Sequence, residues 1–175
     1  MPNNIIMEVY KTYTGSELNA FGKTFYKFIN AEKTHHGFKF VEGLNVDTIP
    51  FNPSGSCSKG GIYFATIYDI FNFMDYGIYF CEISIPDDAQ CYVEECKIKS
   101  DKIIIKSFNK FIPPELCSLA VTQNGYALQY VKEQTPELCR LAVTQNGNSL
   151  YYVKEQTPEL CRLAVTQTGY ALQFV

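Results

Sequence analysis

A 22-residue repeat fills the C-terminal third of this chain and constrains its fold more than any other feature. Pro114, Pro136 and Pro158 each begin the word Pro-Glu-Leu-Cys, and 18 of 22 positions are identical between the first two copies. The residues of each copy predict a helical hairpin that is too small to bury its own apolar stripe. We therefore predict that the copies stack side by side as a short α-helical solenoid.

Each copy carries the signals of one helix followed by a second, shorter helix. A proline at the first helical position and a glutamate after it suit a helix start, and Thr135 and Thr157 can cap two of the three starts. Pro113 replaces this threonine in the first copy, which therefore lacks a cap. The pair Asn146-Gly147 predicts that the helix ends in a left-handed conformation.

The recurring words of residues 113–175 are Pro-Glu-Leu, Ala-Val-x-Gln-Asn-Gly and Ala-Leu-Gln-Tyr-Val. They resemble the 22-residue helical repeats of mimivirus-like giant DNA viruses of amoebae. That family has no known function, so the resemblance implies architecture only. It leads us to expect an accessory protein of a giant virus.

Three cysteines and two arginines recur at fixed positions of the repeat. Equivalent positions of stacked helices lie about 10 Å apart, which is too far for a disulfide or a shared metal. We therefore interpret Cys117, Cys139 and Cys161 as small buried hydrophobic residues. Arg140 and Arg162 are predicted to form a basic row on one face, which is either solvated or binds a partner.

The third copy stops at Val175, before the Lys-Glu-Gln-Thr that closes the other two. An exposed apolar edge of a repeat array marks an interface. Three alternatives remain open for this edge: self-association through the C-terminal repeat, a docked protein partner, or a chain shortened from a longer array. The side chains expected to face outward are Leu163, Ala164, Ala171, Leu172 and Val175.

Residues 1–110 lack the 22-residue repeat, and their sequence predicts a β-rich α+β domain with one main helix. The repeat domain follows at 111–175. Thr66 and Asp69 predict a capping box for that helix, which ends before Gly77. We expect the two domains to pack together without a flexible linker. Stretches rich in β-branched and aromatic residues predict strands at 5–13, 24–29, 37–41, 61–65, 78–86, 90–94 and 102–106.

Residues 24–106 also resemble a small domain of unknown function from phage and giant-virus proteins. The words that carry this resemblance are FYKFINAEKTHHGFKFVEGLN, GGIYFA, YFCEISIP and KSDKIII. No catalytic residue is known for that family, so none is implied for this chain.

The charge pattern argues against a nucleic-acid partner. The net charge is −3, and residues 1–110 contain no arginine. Because the chain has no basic cluster to neutralise phosphates, we expect no nucleic-acid partner.

No apolar run reaches the roughly 18 residues of a membrane span, and no secretory signal is visible at the N-terminus. We therefore expect no membrane partner, reduced cysteines and a location in the host cytoplasm.

Metal and nucleophile sites have few candidate residues in the first 110 positions. His35 and His36 are adjacent and are expected to point in different directions, so they are poor partners for one metal ion. Together with Cys57, Cys91 and Cys96 they lack the paired short spacings of a zinc site. We predict no metal site and no cofactor.

One enzymatic alternative stands beside the interaction module. His36, Tyr63 and Glu82 occur in the order of the residues that surround NAD in mono-ADP-ribosyltransferases, whose strand-helix-strand frame this chain resembles. Under this alternative NAD is the cofactor, Tyr63 stacks on the nicotinamide, His36 holds the ribose and Glu82 stabilises the developing cation. The Tyr-x-Thr and Ser-Thr-Ser words of that family are absent, and structural roles for the three residues compete with catalytic ones. A protein-interaction module is the favoured prediction, and convergence of the three side chains in one cleft distinguishes the two.

Overall fold

The computed structural model describes residues 7–54 and 57–175. The chain divides into two compact units, Met1–Asn109 and Lys110–Val175. The first unit is built on an antiparallel sheet and the second consists of helices, so the α+β prediction is confirmed. Within the described ranges, no helix combines the length and the apolar character needed to cross a bilayer.

The described part of the first unit contains ten strands, one short α-helix and one 3-10 helix. The strands at 34–35, 43–46 and 98–100 and the α-helix at 15–19 have no counterpart among the predicted elements. Residues 5 and 6 of the first predicted strand lie outside the described residues. The elements are β1 (Lys11–Thr14), α1 (Gly15–Asn19), β2 (Phe25–Ile29), β3 (Thr34–His35), β4 (Phe38–Lys39), β5 (Gly43–Val46), β6 (Ile62–Thr66), the 3-10 helix Ile70–Tyr76, β7 (Tyr79–Ser84), β8 (Gln90–Val93), β9 (Ile98–Ser100) and β10 (Lys102–Ile105).

Eight of these strands form one antiparallel sheet in the order β1-β8-β9-β6-β2-β7-β10-β5, and β3 pairs with β4 in a separate hairpin. Because side chains alternate along a strand, the two faces of the sheet carry different sets of residues. One face holds the main apolar core, which includes Phe25, Phe64 and Ile83. On another side of β2, the ring of Phe71 from the 3-10 helix stacks 5.9 Å from that of Phe80.

The start of the 3-10 helix Ile70–Tyr76 corrects one prediction. The hydroxyl of Thr66 donates to the carboxylate of Asp69 at 3.0 Å, and the helix receives no capping bond from the side chain of Asp69. The capping box predicted here is therefore wrong. A complete box precedes α1 instead: Thr14 Oγ1 accepts from Glu17 N at 3.2 Å, and the Glu17 carboxylate accepts from Thr14 N at 2.7 Å.

The second unit repeats an α-helix followed by a 3-10 helix three times. Thr135 accepts from Leu138 N at 3.3 Å and Thr157 accepts from Leu160 N at 3.2 Å, so both predicted caps are confirmed. Pro113 provides no side-chain cap, as predicted. The elements are α2 (Pro114–Gln123), α3 (Pro136–Gln145) and α4 (Pro158–Gln167), with the 3-10 helices Gly125–Tyr130, Gly147–Tyr152 and Gly169–Phe174.

The ends of these α-helices differ from the left-handed ending that was predicted. Asn146 is extended, with φ −152°, and Gly147 does not have a positive φ. The side chain of Asn146 instead accepts from Asn148 N at 3.0 Å and caps the following 3-10 helix. Gly147 is needed because a side chain has no room there: a Cβ would lie 2.7 Å from the carbonyl oxygen of Ala164 in the next repeat.

Glutamine side chains connect each repeat to the next. Gln134 Nε2 donates to the carbonyl oxygens of Leu128 and Tyr152, at 3.2 and 2.9 Å, and Gln134 Oε1 accepts from Lys154 N at 3.0 Å. Gln156 makes the first two of these bonds one repeat later, with carbonyl oxygens at 3.2 and 2.9 Å. Successive repeats are thus joined by equivalent bonds.

Candidate functional site

The two arginines of the repeats lie on exposed parts of α3 and α4. The guanidinium of Arg140 forms an ion pair with the carboxylate of Glu159 from the next repeat, whereas Arg162 forms no ion pair with any described residue. A single exposed pair of this kind contributes about 0–1 kcal/mol. The charge of Arg140, one of the two residues of the predicted basic row, is therefore paired within the protein.

The last repeat exposes apolar positions that the earlier repeats bury. Leu128 and Leu150 are both 0 % exposed, whereas Leu172 at the same repeat position is 65 % exposed. Val153 is 6 % exposed and its counterpart Val175 is 65 % exposed. The contrast arises because a following repeat covers these positions in the first two copies.

We call the surface formed by Tyr170, Leu172 and Val175 the apolar end face; each of these side chains is about two-thirds exposed. The prediction that the last repeat presents apolar side chains to solvent holds for Leu172 and Val175. It is wrong for Ala164 and Ala171, which are both fully buried. Alanine side chains are short enough to be covered within their own repeat.

A second candidate site is a cavity in the first unit, beside the point where β2 and β6 stop pairing. Strand β2 pairs with β7 over five residues but with β6 only at Phe25–Thr66 and Tyr26–Ala65. The cavity has a volume of about 710 Å³ and is lined by residues of β2, β6 and the β3–β4 hairpin. Pockets for small molecules have volumes of roughly 300–1,000 Å³.

Both histidines line this cavity. Their ring centroids are 4.1 Å apart, so the expectation that they point in different directions is wrong. The reason is the turn between β3 and β4: His36 and Gly37 have φ 49° and 82°, as in a two-residue type I′ turn, which interrupts the alternation of side chains. Burial, followed by the charges of Lys27 and His36, lowers the pKa of His35 to about 4.

The three residues of the NAD-dependent alternative do not meet in this cavity. His36 and Tyr63 line it, but Glu82 does not. Glu82 lies on β7, forms an ion pair with Lys106 and lines a different, smaller pocket. The convergence that would favour an ADP-ribosyltransferase is therefore not present among the described residues.

Lys27 is the cavity residue that the sequence reasoning missed. It lies in the middle of β2, is 9 % exposed and donates one hydrogen bond of 2.7 Å, to the carbonyl oxygen of Tyr63. Its Nζ also lies 5.2 Å from the centroid of the Phe40 ring. Burial lowers the pKa of Lys27 to about 8. The available signal was a lysine inside the apolar strand FYKFI, since lysine is rarely buried without a partner.

The cysteines differ in burial, and within the described ranges they belong to no group of metal ligands. All seven are described residues, and they form no disulfide. Cys117 and Cys139 are buried as predicted, while Cys161 in the last repeat is half-buried. Burial raises the pKa of Cys81 to about 12 and of Cys91 to about 11. No three His, Cys, Asp or Glu side chains of the described ranges are grouped to hold a metal ion.

Comparison with known proteins finds similarity over part of the chain. Residues 114–157, which form the first two repeats, match a family described as Domain of unknown function (DUF4116). This match and the mimivirus relatives support the predicted giant-virus origin. The resemblance of residues 24–106 to a phage and giant-virus domain stays a prediction. No solved structure matches the chain.

Three relatives come from Acanthamoeba polyphaga mimivirus. Two are named "Putative ankyrin repeat protein": one is 37 % identical over 68 residues, covering 38 % of this chain and 34 % of the relative, and the other is 43 % identical over 59 residues, covering 34 % and 19 %. The third, named "Uncharacterized protein", is 31 % identical over 88 residues, covering 47 % and 64 %. The chain thus spans less than two thirds of each of these relatives.

Proposed function

We propose that this chain is a protein–protein interaction module of a giant virus that works in the host cytoplasm. The three repeats form a short solenoid, and the apolar end face of Tyr170, Leu172 and Val175 is the binding surface. A second copy of the chain occupies this surface. The role is binding and requires no cofactor.

The observation that carries this proposal is the contrast between Leu150 and Leu172. These side chains occupy the same repeat position and are 0 % and 65 % exposed. Full burial of a leucine stabilises a structure by roughly 1.5–3 kcal/mol relative to leaving it exposed. Covering Leu172 and Val175 on two copies at once therefore provides a substantial driving force for association.

The names of two relatives point in the same direction. Ankyrin repeats are helical units that stack on their neighbours and present extended binding surfaces. The matched family has no assigned function, so no activity is transferred from it. What supports an interaction role here is the combination of repeated helical units with an uncovered apolar face.

A second copy suits the end face because the face can pair with itself. In a two-fold dimer the same patch of both subunits meets, so the patch must be complementary to its own surface. An apolar patch meets this requirement. The helix beside it, α4, exposes one acidic and one basic residue, Glu159 and Arg162, so two copies approach without strong net repulsion from this helix.

The test is the mass of the chain in solution, measured by light scattering from low to high micromolar concentration. We expect a dimer at high concentration and a monomer for Leu172→Asp, because the new carboxylate cannot be buried without a partner. Leu44→Asp is the matched control, since Leu44 is 56 % exposed in the first unit. A wild-type monomer at every concentration, or a dimer unaffected by Leu172→Asp, would contradict the proposal.

A further inference from the structure

We propose that the cavity beside β2 and β6 binds a small organic anion that carries a planar ring, with the ammonium group of Lys27 as the partner of its negative charge. This proposal concerns the first unit alone and is independent of the function proposed for the repeats. It rests on the hydrogen bonding of two buried lysines, the charges of the cavity lining, and its aromatic walls.

Lys27 has unused hydrogen-bonding capacity, unlike the other buried lysine near the cavity. An ammonium group has three donors. Lys99, which is 0 % exposed, donates to three acceptors: the carbonyl oxygens of Asn52 and Ser54 at 2.8 and 3.3 Å, and Ser58 Oγ at 2.7 Å. Lys27 donates to a single described acceptor, a carbonyl oxygen at 2.7 Å. Two donors of Lys27 therefore have no acceptor among the described residues.

No described carboxylate compensates the charge of Lys27. It belongs to none of the ion pairs of the described residues. Desolvation is the largest influence on this amine; it outweighs the opposing effect of the Cys81 thiol and lowers the pKa of Lys27 to about 8. A buried charge without a counterion is costly unless a ligand supplies the counterion.

The rest of the cavity lining is also basic. Besides Lys27 it contains Lys39, Lys59 and Lys97, against Asp47 as the one carboxylate among the lining residues of the described ranges. Lys97 is paired with a glutamate outside the lining, at 3.7 Å. Both carboxylate oxygens of Asp47 accept backbone N–H groups, at 3.0 and 2.7 Å. An excess of positive charge therefore remains for a ligand.

The cavity walls suit a planar ring. Phe38 and Phe40 pack edge to face with their centroids 4.9 Å apart, and both line the cavity with Phe73 and Tyr76. Aromatic side chains stack on or pack against planar rings at centroid separations of roughly 4.5–7 Å. The volume of about 710 Å³ accommodates such a ring together with its charged group.

The test uses the full chain and titration calorimetry at neutral pH with four probes. AMP supplies a ring with a phosphate, and phenylacetate supplies a ring with a carboxylate. Adenosine and phenylacetamide are the corresponding uncharged compounds. We expect at least one of the two anions to bind, and to bind more tightly than its uncharged counterpart. Binding of AMP would identify phosphate as the charged group that the cavity recognises, and binding of phenylacetate would identify carboxylate.

The variant that tests the role of Lys27 is Lys27→Met, which keeps the length of the side chain and removes the charge. We expect it to fold and to weaken binding of the anion by ~10-fold or more, because the loss of one partner of a buried charge pair has a large effect. Lys132→Met, an exposed lysine of the second unit, is the matched control and should leave binding unchanged. Binding of neither anion to wild type, equal binding of charged and uncharged probes, or full affinity in folded Lys27→Met would each overturn the proposal.

Discussion

The amine of Lys27 donates a 2.7 Å hydrogen bond to the carbonyl oxygen of Tyr63, at the place where the pairing of β2 with β6 has ended. The lysine thus supplies a donor to a carbonyl group that lies beyond the paired residues of the two strands. The same position removes the ammonium group from water. Lys27 therefore helps to join the two strands, while the burial of its charged ammonium group costs free energy.

We predict that Lys27→Met raises the free energy of unfolding at neutral pH. The pKa of Lys27 falls from 10.5 to about 8 on folding, so between these values the unfolded chain binds more protons and stability rises with pH. The cost of burying the charge is on the order of 3 kcal/mol below pH 8 and disappears above the unfolded pKa. Loss of the hydrogen bond to Tyr63 offsets about 1 kcal/mol of the gain.

Urea unfolding of wild type and Lys27→Met across this pH window checks the prediction. The stability difference between the two proteins should be largest below pH 8 and should shrink as the pH approaches 10.5. A difference that stays constant across the window would show that Lys27 is not desolvated in the native protein.

We predict that His35 makes the fold sensitive to mild acid. The pKa of His35 is lowered from 6.5 to about 4, first by burial and then by Lys27 and His36. Between these values the unfolded chain binds more protons, so stability falls as the pH falls from 6.5 toward 4. Above 6.5 this contribution is fully retained. His35→Gln, which does not titrate, should lose less stability over the same interval.

The measurement is the urea midpoint of both proteins at several pH values between 6.5 and 4. Parallel loss of stability in wild type and His35→Gln would mean that other groups determine the acid sensitivity of the fold.

We predict that Gly147→Ala destabilises the repeats by about 1–3 kcal/mol, because the added methyl group overpacks the contact with the next repeat. A Cβ there would lie 2.7 Å from the Ala164 carbonyl oxygen. Gly169→Ala is the matched control, since a Cβ at that position meets nothing within 4 Å. Thermal unfolding of the two variants compares them. Equal destabilisation would indicate that the glycine is needed for its backbone flexibility and not for space.

The sequence predicted the repeated helices well because their signals are local and recur. Thr135 and Thr157 cap their helices by contacts within a few residues, which one repeat is enough to specify. The outward position of Leu172 followed from comparing the copies, because Leu172 occupies the repeat position of Leu128 and Leu150, each of which precedes a further repeat. These predictions needed no knowledge of distant contacts.

The predictions that failed have two causes: one local pattern can form different hydrogen bonds, and some features depend on contacts between distant residues. Thr66 and Asp69 have the same local pattern as Thr14 and Glu17, yet only the second pair forms a capping box. The burial of Lys27 depends on where the pairing of β2 with β6 stops, and no local pattern marks that point. The neighbouring strands and the hairpin turn that complete the cavity are likewise set by tertiary structure.

The most direct test of the interaction role is NMR of methyl-labelled leucine and valine side chains during dilution of the full chain. We predict that the methyl signals of Leu172 and Val175 shift between high and low micromolar concentration, because these side chains pass from a covered to an exposed state. The signals of Leu128 and Leu150, which are buried in both states, should stay in place. Concentration-independent signals at Leu172 and Val175, or shifts confined to the first unit, would contradict association through the apolar end face.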